Sequence, residues 1–226
     1  MKSCFSVIIA GVLFLSTLGN FLFQKTRFQN TFSSLRQELM LIASNAALSI
    51  DADQLREVPL LQSGESSAAY REISDKLIRV KQTNLSLRYV YILTATSNPG
   101  ILQFIVDADP LPKIITARCP TSLPGDQYDA RGIPEMINAY DGPSADEGIL
   151  KDAWGVFVSG YAPIRDSEAN TVAIIGVDSD ATFLQAMQNN IRISARLALF
   201  TGILFIAVLA VFIVSLVFLQ PLKNQE

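Results

Sequence analysis

Residues 152–180 decide the fold of this chain and read DAWGVFVSGYAPIRDSEANTVAIIGVDSD. Two β-rich runs within them, VFVSGYAPI and TVAIIGV, lie on either side of a short polar turn. In the first run Phe157, Ser159 and Tyr161 alternate with apolar residues and glycine, which is the period-two pattern of a strand. The second run is apolar on both faces, as a strand in the middle of a sheet is. The stretch therefore predicts a hairpin within an antiparallel sheet.

A helix is predicted directly after this hairpin. Asp178 and Asp180 offer N-caps for a helix that begins near Ala181. No glycine or proline lies between Ala181 and the apolar segment that begins at Leu197 and extends to residue 219. That apolar segment is long enough to cross a bilayer. The hairpin is thus expected to connect directly to a membrane helix.

A second apolar segment lies near the start of the chain. Residues 4–23 are almost wholly apolar and have basic residues on both sides. Their length of about 20 residues matches a hydrocarbon core of ~30 Å. The alternative is a cleaved signal peptide, but the apolar run is long for one and residues 16–19 form a poor cleavage site. We therefore predict transmembrane helices at residues 1–23 and 197–219.

Composition excludes several classes of protein. The hydrophobic fraction of 50% and the mean hydropathy of +0.31 are high for a soluble protein, and the two apolar ends account for the excess. No basic stripe with interleaved aromatic residues is present, so nucleic acid is not expected as a partner. The chain has no histidine, which removes the commonest general base and metal ligand. Cys4 and Cys119 are expected on different sides of a membrane boundary, where they cannot form a disulfide.

Residues 24–52 predict a long helix that continues out of the first apolar segment. Its apolar positions follow a heptad seam formed by Phe28, Phe32, Leu35, Leu39, Ile42 and Ala46. Such a seam pairs two helices, or it packs against the sheet of its own chain. The half from 28 to 39 favours contact with a second copy, and the half from 42 to 50 favours packing within the domain.

The middle of the chain predicts further elements. A helix is expected over residues 66–81, and strands over residues 89–95 and 101–107. Residues 111–151 are rich in proline and glycine and are predicted to be largely irregular, with a short helix within residues 132–140. A long irregular segment inside a compact domain is usually a functional loop.

The hairpin sequence also resembles a known family. The runs WGVFVSGYAPIRD and VAIIGVD resemble the last two strands of Cache domains, which are PAS-like extracytoplasmic sensor domains of bacterial receptors. The upstream runs RYVYIL and FIVDADP extend the resemblance over most of residues 47–180. In one place the sequence departs from the family, which commonly has glycine in the hairpin turn where this chain has Ala169 and Asn170. We expect Asn170 to adopt the positive φ there.

The resemblance implies an α+β fold, with a PAS-like antiparallel sheet and a long N-terminal helix, flanked by two transmembrane helices. It implies an extracytoplasmic domain at residues 24–196, with the PAS-like core at about 66–180 and a signalling helix at 181–196. Pro221 and Leu222 follow the second apolar segment and resemble the start of a cytoplasmic HAMP linker over residues 220–226. The expected location is the bacterial inner membrane, with the chain crossing it twice and an output domain beyond residue 226.

The candidate ligand-binding residues share strands or loops on the pocket side of such a sheet: Tyr89, Tyr91, Asp107, Asp109, Tyr128, Trp154, Ser159 and Tyr161. Asp107 and Asp109 are two residues apart, so on a strand both carboxylates face a cationic ligand or a hard metal ion. The alternative is a strand end closed by an Asp-Pro turn. No metal site and no cofactor is predicted.

The other candidates also have two interpretations. Trp154 forms a pocket wall, or it is a core aromatic under the loop. Tyr128, between Asp126 and Asp129, belongs to a lid or to an Asx turn. Ser159 and the tyrosines present hydroxyl groups that need partners when buried. Arg88 and Arg118 are candidates to neutralise a ligand carboxylate, or they are surface residues.

The predicted function is reception of a small extracellular molecule and transmission of that event across the bilayer, by a homodimer. The alternative is a ligand-silent module for dimerisation or protein contact. Enzyme activity is not expected, because no histidine-based catalytic set exists and no phosphate-binding loop appears. A membrane-anchored hydrolase would depend on the carboxylates of Asp107 and Asp109.

Overall fold

The computed structural model describes residues 2–108, 122–151 and 155–219. The chain divides into two compact units. One comprises Met1–Thr31 and Leu184–Glu226, and the other comprises Phe32–Phe183.

The helices are α1 (Lys2–Leu48), α2 (Ala52–Arg56), α3 (Ala68–Thr83), α4 (Pro134–Asn138) and α5 (Thr182–Leu219), with a 3-10 turn at Gln62–Ser66. The strands are β1 (Leu87–Ala95), β2 (Ile101–Asp107), β3 (Gln127–Asp129), β4 (Ser144–Ala145), β5 (Leu150–Lys151), β6 (Val156–Arg165) and β7 (Thr171–Asp180). The α+β class predicted from the sequence is therefore confirmed for the described residues.

The strands form one antiparallel sheet in the order β3-β2-β1-β7-β6-β4, with β5 also paired to β6. The last strand in sequence, β7, lies between β1 and β6. This central position explains why its run of apolar residues shows no alternation, since both of its faces are buried.

The predicted hairpin is the pair β6–β7, whose register runs from Phe157 opposite Asp180 to Arg165 opposite Thr171. The prediction for its turn is wrong, because Ala169 has the positive φ, 66°, and Asn170 does not. The backbone N–H of Asn170 donates to the side chain of Asp166 at 2.9 Å, which closes the turn between the two strands.

Two other boundaries differ from those predicted. The long helix ends at Leu48, and a new helix, α2, begins at Ala52 because the Asp51 carboxylate caps it through the amides of Asp53 and Gln54. The segment predicted as largely irregular contains β3, α4, β4 and β5 within residues 122–151. Strands of two or three residues are too short to show a period-two pattern, so these strands could not be predicted.

One face of the sheet, here named the helix face, packs against helices of the same unit. Leu39 of α1, and Ile73 and Leu77 of α3, are fully buried. At Gly160 of β6 a side chain would lie 2.6 Å from the backbone carbon of Leu39, so the helix backbone rests on this glycine. For Leu39 the seam therefore packs within the domain, and contact between two copies through the earlier seam residues stays a prediction.

The opposite face is named the site face. It carries a buried cluster, in which side chains of the strands pack against side chains of α4 and of the residues beside it. The members are Tyr91, Leu93, Leu102, Phe104, Ala130, Met136, Ala139, Tyr161 and Ile174. Pro134 starts α4 at the position where a missing backbone N–H costs nothing. This short helix lies within the range predicted for it.

In the unit of Met1–Thr31 and Leu184–Glu226, the two helices pack through small and aromatic residues. The rings of Phe14 and Phe205 stack with centroids 6.1 Å apart. The hydroxyl oxygens of Thr17 and Thr201 are 2.7 Å apart. By length and composition, α1 and α5 are each able to cross a membrane.

The close contact at Gly160 generates a stability prediction. We expect Gly160→Ala to lower the free energy of unfolding by about 1–3 kcal/mol, because the new methyl group would overlap with Leu39. Gly132→Ala is the matched control, since a Cβ there has nothing within 4 Å. Chemical denaturation of the full chain in detergent measures both variants. Equal stability of the two would show that α1 does not lie against this strand.

Candidate functional site

The candidate site is built where β1, β7 and β6 lie side by side. Tyr91 and Tyr161 are both opposite Gly176 of β7, one from each neighbouring strand. Tyr89 and Ser159 are likewise both opposite Asp178. Residues opposite each other on adjacent strands share a face. The structure thus brings together four predicted residues: Tyr89, Tyr91, Ser159 and Tyr161.

Gly176 allows the ring of Tyr91 to lie across the central strand. A Cβ at this position would overlap with the Tyr91 ring. The Tyr91 hydroxyl lies over β7 and donates a hydrogen bond to Oδ1 of Asp178, on the same strand, at 3.0 Å. Asp178 therefore belongs to the site face and carries the first of two carboxylates bound by a tyrosine.

Asp146 carries the second such carboxylate. The pairing of β4 with β6 sets Ala145 opposite Gly160, so the next residue, Asp146, meets Ser159. The hydroxyl of Tyr161 donates to Asp146 Oδ1 at 3.0 Å, and the backbone N–H of Ser159 donates to Oδ2 at 2.8 Å. Asp146 is fully buried, with 0% of its surface exposed.

Burial decides the electrostatics of this carboxylate. It raises the pKa of Asp146 to about 6, although the hydrogen bonds from Ser159 and Tyr161 act in the opposite direction. The negative charge of Glu135 adds to the rise. Among the salt bridges of the described residues, none involves Asp146. The site face therefore holds a carboxylate whose charge is not neutralised by a described lysine or arginine.

The tyrosines are fixed as hydrogen-bond donors. Burial raises the pKa of both Tyr91 and Tyr161 well above 10, and the nearby charges of Asp178 and Asp146 raise it further. Both hydroxyls consequently keep their protons at any physiological pH. The arrangement presents two carboxylate–tyrosine pairs and supplies negative charge.

Aromatic rings surround these pairs. Phe104 contacts Tyr91 and Tyr128 edge to face, with centroids 5.8 and 6.2 Å apart. Tyr89 contacts Phe157 in the same way at 5.4 Å. Tyr128 thus lies next to the aromatic cluster. The geometry is that of a partly apolar wall with acidic groups at defined positions.

The alternative interpretation, an Asx turn, holds for Asp129, whose Oδ1 accepts from the backbone N–H of Arg131 at 3.1 Å. Asp126 Oδ2 accepts from the amide of Leu123 at 2.8 Å. Asp129 forms an ion pair with Arg131, which lowers the pKa of Asp129 to about 2. Both carboxylates are therefore engaged in local contacts.

One remaining candidate, Asp107, lies beside Tyr91 on the site face, and the others contact Tyr89 or lie outside the described residues. Asp107 is the last residue of β2, pairs with Tyr91 across the strands and is 8% exposed. Asp109, Trp154 and Arg118 fall outside the described residues. The guanidinium of Arg88 lies 5.5 Å from the centroid of the Tyr89 ring. Within residues 2–108, 122–151 and 155–219, no group of three or more potential ligands could hold a metal ion.

Sequence reasoning missed the two central acids. Asp178 was expected as a helix cap, but Asp180 has that role and accepts from the amide of Thr182 at 2.8 Å. Asp178 lies two residues after Gly176, so strand alternation could have placed it on the site face. Asp146 follows a strand of only two residues, which gives no usable pattern.

The pKa of Asp146 generates a prediction for stability against pH. Because its pKa in the folded state is about 6 and its usual value is 3.8, the folded chain binds more protons than the unfolded chain between these values. The free energy of unfolding should therefore rise as pH falls from about 6.5 to 4, with a limiting slope of about 1.4 kcal/mol per pH unit. The lowered pKa values of Asp129, Asp166 and Asp180 act in the opposite direction, at lower pH.

Chemical denaturation of the full chain at several pH values measures this slope. Asp146→Asn should remove it, because an amide does not titrate. Asp129→Asn is the matched control and should retain the slope between pH 6.5 and 4. A wild-type chain whose stability falls steadily over this range would show that Asp146 ionises normally.

No family model and no curated protein matches the chain. Among solved structures, the sensor domain of the Vibrio cholerae histidine kinase DctB aligns with a TM-score of 0.51 and 16% identity, over 77% of this chain and 60% of that one. The ligand-binding domain of the Campylobacter jejuni chemoreceptor Tlp3 in complex with L-valine aligns with a TM-score of 0.48 and 14% identity, over 79% and 65%.

The sensor domain of Escherichia coli DcuS aligns with a TM-score of 0.45 and 13% identity, over 70% of this chain and 96% of that one. The chain spans less than two thirds of the Tlp3 and DctB structures. At these identities the likeness concerns the fold. The alignment with DctB shows that the chain shares the fold of that sensor domain, in agreement with the fold that the hairpin sequence predicts.

Proposed function

We propose that this chain is the sensing and transmembrane portion of a bacterial receptor, and that its site face binds a small molecule with a positively charged group. The observation that carries the proposal is the pair of carboxylates, Asp146 and Asp178, each bound by a tyrosine hydroxyl on one face of the sheet. The fold likeness to a sensor domain supports the sensing role.

The charge of Asp146 favours a cationic ligand. A buried carboxylate without a cation is penalised by desolvation, which is why its pKa rises. An ammonium group placed against it would offset that penalty and donate hydrogen bonds to its oxygens. The tyrosine hydroxyls and the Ser159 amide already hold the two carboxylates in fixed positions, so binding need not order them first.

The aromatic rings favour the same class of ligand. Rings of tyrosine and phenylalanine attract cations through the negative charge on their faces. Apolar walls with a few fixed polar groups are also the usual lining of small-molecule sites. Tyr91, Phe104 and Tyr128 contact one another and could form such a wall beside Asp178.

Two features support a membrane location with two crossings. The first is that α1 and α5 are each long and apolar enough to span a bilayer. The second is that large apolar side chains on them are exposed, including Phe5, Leu15, Val211 and Phe218. Such surfaces are stable in lipid and costly in water. In this proposal Phe32–Phe183 lies outside the inner membrane, two copies pair, and β7 passes the signal to α5.

A binding panel on the full chain in lipid nanodiscs tests the ligand class. We expect ethylammonium or tetramethylammonium to raise the melting temperature, and succinate at equal concentration to have no effect. Asp178→Asn and Asp146→Asn should each weaken binding by at least about tenfold, because each removes a negative charge that attracts the cation. Asp129→Asn should bind normally, since its carboxylate pairs with Arg131.

Two results would contradict the proposal. Binding of succinate but of neither ammonium ion would mean that the site face recognises anions. Absence of any binding by a chain that melts cooperatively would favour the alternative, a ligand-silent module for dimerisation or protein contact.

A further inference from the structure

Helix α1 contacts the back of the two strands that hold Asp146. On β6, the backbone of Leu39 rests on Gly160, which lies between Ser159 and Tyr161. These two neighbours are the residues that donate to the Asp146 carboxylate from the other face. A shift of either hydrogen bond therefore moves the backbone on which α1 rests.

On β4, α1 makes a second contact of the same kind. The Nη2 atom of Arg36 donates to the carbonyl oxygen of Ala145 at 2.9 Å. Ala145 directly precedes Asp146, and the amide of Asp146 donates to Ser159. Arg36 and Leu39 are three residues apart and share a face of α1. One short stretch of this helix thus touches both backbone segments that form the Asp146 site.

The guanidinium of Arg36 has an unused donor. Its Nε atom is buried and has no hydrogen-bond partner among the described residues. A buried donor without a partner is costly, so an alternative arrangement of β4 that supplies an acceptor to Nε would be stabilised. Arg36 is therefore able to follow a displacement of residues 145 and 146 by exchanging one hydrogen bond for another.

We propose that α1 carries the state of the Asp146 site out of the domain, with Arg36 as the positioning residue that couples them. Neutralising Asp146, by a bound cation or by substitution, weakens the hydrogen bonds that Ser159 and Tyr161 donate to it. The backbone at Ala145 and Gly160 is then free to move, and α1 moves with it. Because α1 is one continuous helix from Lys2 to Leu48, the change reaches its apolar segment. For the identity of the stimulus, this inference rests on the proposed function.

Hydrogen–deuterium exchange of the full chain in lipid nanodiscs tests the coupling without a ligand. Asp146→Asn preserves the size of the side chain and removes its charge. We expect it to speed exchange of the α1 amides near Arg36 and Leu39 by about fivefold, the effect of weakening one hydrogen bond. In an Arg36→Met background the same substitution should leave exchange in α1 unchanged.

Arg165→Met provides the matched control background. Arg165 Nη2 also donates to a backbone carbonyl, that of Asp141, at 2.9 Å in the connection between α4 and β4. In that background Asp146→Asn should still speed exchange in α1. If Arg36→Met prevents folding, Arg36→Lys replaces it. In that background Asp146→Asn should speed exchange in α1 less than it does in the otherwise wild-type chain, because lysine lacks the planar fork of donors.

The coupling is overturned if Asp146→Asn leaves α1 exchange unchanged in the otherwise wild-type chain. It is also overturned if the rise is as large with Arg36→Met or Arg36→Lys as without them. If Asp146→Asn speeds exchange in α1 but the wild-type chain binds no ammonium ion, the coupling stands and the proposed ligand class is wrong. Binding of an ammonium ion without a rise would remove the coupling alone.

Discussion

The buried carboxylate of Asp146 is the constraint on which the site depends. It joins the end of β4 to the middle of β6 through the amide of Ser159 and the hydroxyl of Tyr161. These neutral donors fix its position but do not neutralise its charge, so its pKa is raised. A charged group held in place and incompletely compensated is suited to binding a cation and to responding when one arrives.

Two glycines make this arrangement possible. Gly160 and Gly176 lie on the adjacent strands β6 and β7, and each removes a side chain where another group must approach. Gly160 admits the backbone of α1 to the helix face, and Gly176 admits the ring of Tyr91 to the site face. A helix backbone and a tyrosine ring thus approach this part of the sheet from its two faces.

The sequence predicted those parts of the fold that have long, regular patterns. The β6–β7 hairpin, the strands before it and the long first helix were visible, because alternation and apolar spacing extend over many residues. The turn at Ala169 was not predicted correctly, since the contacts of Asp166 decide which residue takes positive φ. The short strands were missed because two or three residues show no alternation, and only their pairing with β2 and β6 makes them strands.

Strand alternation predicts which residues of a strand lie on the same face of the sheet, and only this part of the site could be predicted. Tyr91 and Tyr161 were identified in this way, whereas their acceptors were not. Asp178 was attributed to a helix cap, although Asp180, two residues later, serves that role. Asp146 reaches the site only through the pairing of β4 with β6. Which acids a tyrosine binds is decided by strand order, and strand order is a property of the whole sheet.

The pH dependence of ammonium binding tests the account most directly, measured by calorimetry on the full chain in nanodiscs with ethylammonium between pH 7.5 and 5. If the ligand binds the ionised carboxylate of Asp146, a proton competes with it. The account predicts that the affinity falls by up to about tenfold per pH unit below about 6, while the chain remains folded. An affinity that stays constant down to pH 5 would contradict it, because the ligand would then bind without contact to Asp146.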